Sequence, residues 1–266
     1  MTQASETRTI DGEVQEQAEL VRRGDRLEEF RWRWREQPHS VAMVGCGGNY
    51  WYVWPMLRVL FQEASFVSFV DPDRIQPGNE RRQWRARNNG ELKVDAALDL
   101  WGAEVASRAR PMGIAEVPAR DLCSRGTAGL VVVCQPDNDQ ARLQTAEKCE
   151  EVMGLCQREY VAMIASGTMR DQGQAYWGVM DREGWIYDWR EQHLGRDVFN
   201  DPTDGGCGQQ ALDNHLTASV TGLALYDLLC GDRQVREFWW SRRWGGVLST
   251  VKTMADFRAL GEEEEV

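Results

Sequence analysis

Apolar residues in this chain fall into short runs separated by Gly, Asp and Pro punctuation, and the runs alternate between two periods. Leu20, Leu27, Phe30 and Trp34 recur near helical spacing within a charged stretch from Val14 to Glu36, which predicts a helix with one apolar stripe. Gly24 interrupts it and Pro38 stops it; residues 1–11 read as loose. SVAMVG (40–45) is short and apolar enough for a buried strand, and GCGGN follows at once. Trp51 to Phe61 predicts a helix, provided Pro55 sits in its first turn. FVSFVD (66–71) is a second strand-like run. Strand, Gly-rich turn, helix and strand in that order form a βαβ unit and imply a parallel sheet.

The alternation continues. Lys93 to Ala106 predicts a helix, GLVVVC (129–134) a third strand ending in QPDND, Gln140 to Gln157 a helix, and VAMIAS (161–166) a fourth strand. QAYWGVM and GWIYDW, joined by DREG, read as an antiparallel hairpin. Residues 191–208 carry no periodicity and predict a long loop, Ala211 to Leu229 an apolar helix, and REFWW and GGVLSTVK final strands. The expected fold is therefore α/β: a Rossmann-like, mostly parallel sheet flanked by helices, with an antiparallel extension in the C-terminal half. A helical segment over 1–37, one domain over 38–255 and an acidic tail over 256–266 describe the organisation.

Composition narrows the function classes. With 266 residues and 42% hydrophobic content the chain can build a substantial core, and twelve tryptophans exclude a disordered reading. No apolar run reaches the ~18–20 residues of a membrane span, and the N-terminus has no secretory pattern. A net charge of −11 argues against nucleic acid as partner. Seven scattered cysteines, without a CxxC pair, and three separated histidines favour neither a zinc site nor a disulfide framework. A reducing cytoplasm is the expected location. Only three lysines, Lys93, Lys148 and Lys252, accompany 28 arginines, so each lysine invites a specific question.

The candidate chemistry gathers at strand ends. Gly45, Gly47 and Gly48 lie between strand and helix, where glycines let backbone N–H groups meet a phosphate at a helix N-terminus; a ligand-free tight turn is the structural alternative. Asp71 ends the second strand, where such units place an acid on ribose hydroxyls. Asp73, Asn79, Arg82, Gln83 and Lys93 follow. A dehydrogenase has no use for this cluster, whereas an enzyme handling a triphosphate must hold the leaving pyrophosphate. Asp137, at the end of the third strand, could hold Mg²⁺ on phosphates or cap a helix. Cys207 sits between a Gly/Asp loop and a helix start, a place that favours a thiolate nucleophile; a free thiol beside a loop is the alternative. Nothing in the spacing makes His193 or His215 its base.

These motifs resemble the ThiF/MoeB/HesA family of adenylating domains related to ubiquitin-activating enzymes. GCGG resembles the family's GxGGxG turn, DPDRIQPGNERRQ its DxDxVxxxNxxRQ signature, and QPDND its DxTDN element; Lys93 falls at the family's lysine. The resemblance covers roughly residues 38–255. It implies that Asp71 binds ribose, that Asn79, Arg82, Gln83 and Lys93 hold the phosphates of ATP, and that Asp137 binds Mg²⁺. It further implies attack by a carboxylate on the α-phosphate, the carboxylate being the C-terminus of a ubiquitin-like protein or peptide. Cys207 matches the position where some members accept the acyl group, and relatives pair as homodimers.

The chain departs from the pattern in three places. Tyr50 replaces the third glycine and Cys134 the first Asp of DxTDN. The N-terminal Arg-Tyr-x-Arg-Gln motif is absent, and Arg22, Arg23 and Arg26 stand in by position only. Two other readings stay open: a nucleotide-silent dimerisation or scaffold protein, and an NAD-dependent oxidoreductase, which leaves the Arg/Lys cluster unexplained.

Overall fold

A computed structural model describes residues 3–81, 89–102, 105–136, 138–169, 172–190, 211–231, 237–241 and 246–248. Its strands are β1 (His39–Val44), β2 (Phe66–Val70), β3 (Ser107–Arg110), β4 (Gly129–Cys134), β5 (Tyr160–Met169), β6 (Gln172–Asp181), β7 (Gly184–Tyr187), β8 (Glu237–Ser241) and β9 (Gly246–Leu248). One sheet holds them in the order β3-β2-β1-β4-β5-β6-β8-β9, with β7 paired to β6. The run from β3 to β5 is parallel, and every pairing from β5 through β9 is antiparallel. The expected fold class is what the chain adopts.

Each parallel strand sends alternate residues to opposite faces. Val41, Met43, Val67, Phe69, Val131 and Val133 face one core layer. It is covered by α1 (Gln3–Glu36), α2 (Gly48–Leu60), α3 (Lys93–Trp101) and α5 (Ala211–Cys230). Ala42, Val44, Leu130, Val132 and Cys134 face the other layer, covered by α4 (Asp139–Cys156) and by 3₁₀ turns at Ile114–Glu116 and Ala119–Asp121. Burial on both faces explains why β4, and β1 from Val41 onward, read as unbroken apolar runs.

The structure corrects several expectations. Helix α1 starts at Gln3, not near Val14, and Gly24 does not break it. Leu27, Phe30 and Trp34 are buried, whereas Leu20 is exposed, so the stripe covers only the last turns. Those three side chains join the chain's own core. Helix α2 opens at Gly48, so Pro55 lies in its interior and a hydrogen bond to the preceding turn is forgone. Helix α3 stops at Trp101, not Ala106, because Gly102 takes a left-handed turn with φ 87°. The polar SRAR that follows forms β3, an edge strand whose charges hide it from an apolar pattern.

Arg31 is buried, and its guanidinium donates to the carbonyls of Asp227 (2.7 Å) and Leu228 (3.1 Å). It thereby adds a side-chain donor to two carbonyls in the last turn of α5, where helical partners run out. Arg26 holds Asp181 through two bonds, at 2.8 and 2.5 Å. Arg22 pairs with Glu183 and Arg23 with Glu19. The arginines that stood in for the missing motif thus bind the β6–β7 hairpin and α1 itself.

Candidate functional site

In open α/β sheets ligands bind beyond the carboxyl ends of the parallel strands. There the structure has a cleft of about 250 Å³, lined among others by Gly45, Gly47, Asp71, Asp73, Lys93 and Asn138. Five of the expected residues therefore meet in one place: two glycines, both acids and the lysine. Its far wall is Met112, Gly113 and Ile114, with Gln135, Ala141 and Gln144 from the β4–α4 side.

The glycines divide the work. Gly45 has φ 85°, and a Cβ there would come within 2.9 Å of the Gln135 and Pro136 backbone. Its N–H donates to the Val70 carbonyl at 2.8 Å. Only glycine fits this left-handed, crowded position. A Cβ on Gly47 would meet nothing within 4 Å, while one on Gly48 would strike the Asn214 side chain of α5 at 2.3 Å. So Gly45 shapes the turn, Gly48 packs α5 against it, and Gly47 leaves space over the cleft. Gly47 is also the N-cap of α2, and neither a side-chain cap nor a first-turn acid covers that helix start. Unpaired first-turn N–H groups and the positive end of the dipole make this an anion-binding position.

Asp71 is buried; it accepts from the Cys46 N–H at 2.7 Å and the Asp73 N–H at 2.8 Å. Burial raises its pKa, and the Lys93 cation and the two backbone donors work against that rise. The acid thus ties the glycine turn to the end of β2 while facing the cleft. Lys93, the first residue of α3, donates its Nζ to Asp73 Oδ2 at 2.7 Å. Its own N–H donates to the Asp73 carbonyl. Asn79 is buried, and its Oδ1 accepts from the Gln76 N–H at 2.8 Å, closing the turn that leads out of the site; it does not line the cleft.

Neither Tyr50 nor Cys134 intrudes on the cleft. Tyr50 is buried on the α2 side, its hydroxyl donating to the Ala97 carbonyl at 3.2 Å. Cys134 is buried on the α4 side beside Thr145, and burial pushes its thiol up to about 12. Both lie outside the cleft lining. Arg82, Gln83, Asp137 and Cys207 fall outside the described residues. Asn138 is what caps α4, its Oδ1 accepting from the Ala141 N–H at 2.8 Å. Among the described residues no group of three His, Cys, Asp or Glu could hold a metal ion, and no helix is long and apolar enough to cross a membrane.

Sequence reasoning missed a buried polar layer behind the cleft. Thr168 donates to Asn49 Oδ1 at 2.7 Å, fixing the first turn of α2 to the end of β5. Arg142, fully buried, reaches Asp139 at 2.7 Å and the carbonyls of Pro136 at 2.9 Å and Ser166 at 3.3 Å. That guanidinium pins the β4–α4 turn to β5. An arginine three residues along a helix from an aspartate was visible, but nothing local showed that it would be buried.

No model of a known protein family matches the chain, and no curated protein matches it in sequence. Solved structures do match in fold. Escherichia coli MccB aligns at a TM-score of 0.53 and 13% identity, over 84% of this chain and 64% of that one. The same enzyme with MccA-N7isoASN gives 0.52 and 12%, over 80% and 63%. PaaA gives 0.51 and 17%, over 84% and 70%. The chain spans less than two thirds of the MccB chain. At these identities the likeness establishes an MccB-like Rossmann fold.

Proposed function

We propose that the chain is an ATP-dependent adenylating enzyme of the ThiF/MoeB kind that activates the C-terminal carboxylate of a peptide or ubiquitin-like protein. The observation that carries this reading is the uncapped start of α2 at Gly47, opening into the same cleft as Asp71, Asp73 and Lys93. Structures of this fold support it: MccB has been solved with ATP, and with AMPCPP together with MccA.

In this reading the first-turn N–H groups of α2 receive phosphate oxygens, and Asp71 accepts from ribose hydroxyls while keeping the turn closed. Lys93 and Arg82 offset the charge that develops as pyrophosphate leaves, with Gln83 donating to phosphate oxygens and Asn79 holding the turn that carries them; Asp73 holds the lysine in place until phosphate competes for it. The substrate carboxylate attacks the α-phosphorus, giving an acyl adenylate and pyrophosphate. Mg²⁺ accepts few protein ligands and keeps several waters, so a single carboxylate from Asp137 beside the phosphates suits it, and it would neutralise phosphate charge there. Cys207 is proposed to take the acyl group as a thioester, releasing AMP. A homodimer and a cytoplasmic location belong to the same reading.

The test is carboxylate-dependent exchange of pyrophosphate into ATP. Lys93→Ala is expected to lose exchange by about a hundredfold or more, and Cys207→Ser to retain exchange while losing any thiol-sensitive adduct. Retained exchange in Lys93→Ala would refute the site. An unchanged adduct in Cys207→Ser would leave an enzyme that hands its adenylate to an external nucleophile.

A further inference from the structure

At the opposite edge of the parallel strands from the cleft lies an open cavity of about 690 Å³, lined by Cys123, Cys156 and Arg158 together with Arg108, Arg120 and Arg125. Cys123 follows the Ala119–Asp121 turn, and Cys156 is the last residue of α4. Both thiols line this cavity together with Arg158, close enough for Cys156 and the Arg158 guanidinium to act on the Cys123 thiol. Gln157 leaves α4 in the left-handed conformation, φ 50°, which sets Cys156 and Arg158 around one corner. Arg158 is itself buried, held by the Thr127 carbonyl and hydroxyl, while its Nε has no partner. A fixed cation therefore stands beside a pair of thiols.

Cys156 is the half-buried, accessible member of the pair; Cys123 is buried, as are Cys46, Cys134 and Cys149, while Cys230 stands exposed. We propose that Cys123 and Cys156 form a reversible dithiol–disulfide site, oxidised by peroxide, which staples the end of α4 to the segment leading from the Met112–Ile114 wall.

Burial pushes the Cys123 thiol up to about 11, with Arg158 pulling the other way, so the more exposed Cys156 reacts first. Its thiolate attacks one peroxide oxygen; the O–O bond breaks, and with one proton taken up the products are a Cys156 sulfenic acid and water. The Cys123 sulfur then attacks the Cys156 sulfur, forming the S–S bond and releasing the hydroxyl, with the Cys123 proton, as a second water. The thiols lose two electrons and the peroxide gains them. Helix α4 lends Ala141 and Gln144 to the cleft and packs on both 3₁₀ turns of that segment, so the bond would hold two parts of the cleft wall together from behind.

The experiment treats the reduced full-length chain with limiting hydrogen peroxide, alkylates it, and maps the peptides by mass. The expected product is a cross-linked pair of the Cys123 and Cys156 peptides lacking two hydrogens. It should be reversed by dithiothreitol and absent from both Cys123→Ser and Cys156→Ser. Oxidised wild type should melt higher than reduced by roughly 5–10 °C, with no such shift in Cys156→Ser, whose half-buried position tolerates the change if Cys123→Ser folds poorly. Cys156 recovered as a sulfinic acid with Cys123 still free, or cross-linked to another cysteine, overturns the proposal. The map involves no nucleotide, so its outcome is independent of whether the cleft binds ATP.

Discussion

Replacing the first two glycines of the turn one at a time separates what the turn does for the fold from what it does for a ligand. Gly45 sits at φ 85°, and a Cβ there would lie 2.9 Å from the Gln135 carbonyl carbon and the Pro136 nitrogen. The left-handed conformation costs a non-glycine residue ~1–2 kcal/mol. Moving the adjoining backbone to relieve the contact adds ~1–3 kcal/mol. Gly45→Ala should therefore lose about 2–5 kcal/mol of stability. Gly47 has φ −86°, and its Cβ would meet nothing within 4 Å. Gly47→Ala should then cost under ~1 kcal/mol, the difference between glycine and alanine at an N-cap. The added methyl nevertheless projects where a phosphate must approach to about 2.9 Å of a backbone N–H, so ATP affinity should fall at least tenfold, ~1.4 kcal/mol. Urea unfolding and calorimetric titration with ATP give both numbers for both variants. Wild-type ATP affinity in Gly47→Ala would remove α2 as the phosphate site. Wild-type stability in Gly45→Ala would refute the close approach of the two turns.

Other consequences follow from buried groups. Arg142→Met should destabilise the chain by about 2–4 kcal/mol, because Asp139 and two carbonyls lose their donor; urea midpoints check this, and a loss below ~1 kcal/mol would mean the turn does not depend on that guanidinium. Burial lowers the His39 imidazole from 6.5 to about 4, so the folded chain keeps it neutral where the unfolded chain protonates. Its contribution is complete above about pH 6.5 and is lost as pH falls towards about 4, amounting to ~3 kcal/mol at most. His39→Phe, still able to stack on Trp34, should flatten the stability profile over that window relative to wild type, and an unchanged slope would sink the assignment. Lys148, paired with Glu151 at 2.5 Å on α4, should lose stability but not ATP affinity when changed to alanine, in contrast to Lys93.

The sequence alone determined the α/β class, because strand-length apolar runs alternate with helical periods and one sheet buried on both faces is the way to cover them. It also determined that Gly45, Gly47, Asp71, Asp73 and Lys93 would converge. The βαβ connection brings the ends of β1 and β2 side by side, and α3 begins where the chain turns back past Asp73. Tertiary structure alone decided the rest. Whether Tyr50 would fill the cleft depended on which way the first turn of α2 faces, and that is set by Asn49 bonding to Thr168, 119 residues away. The polar edge strand β3 exists because β2 offers it an unpaired edge, not because SRAR favours a strand. The destinations of Arg26, Arg31 and Arg142 were equally invisible, since an arginine in a charged helix looks the same whether it meets water or a carbonyl of a distant element. Local patterns fix what a segment can become; a buried charge is fixed by whichever partner the whole fold brings to it, and that information is spread over residues far apart in the chain.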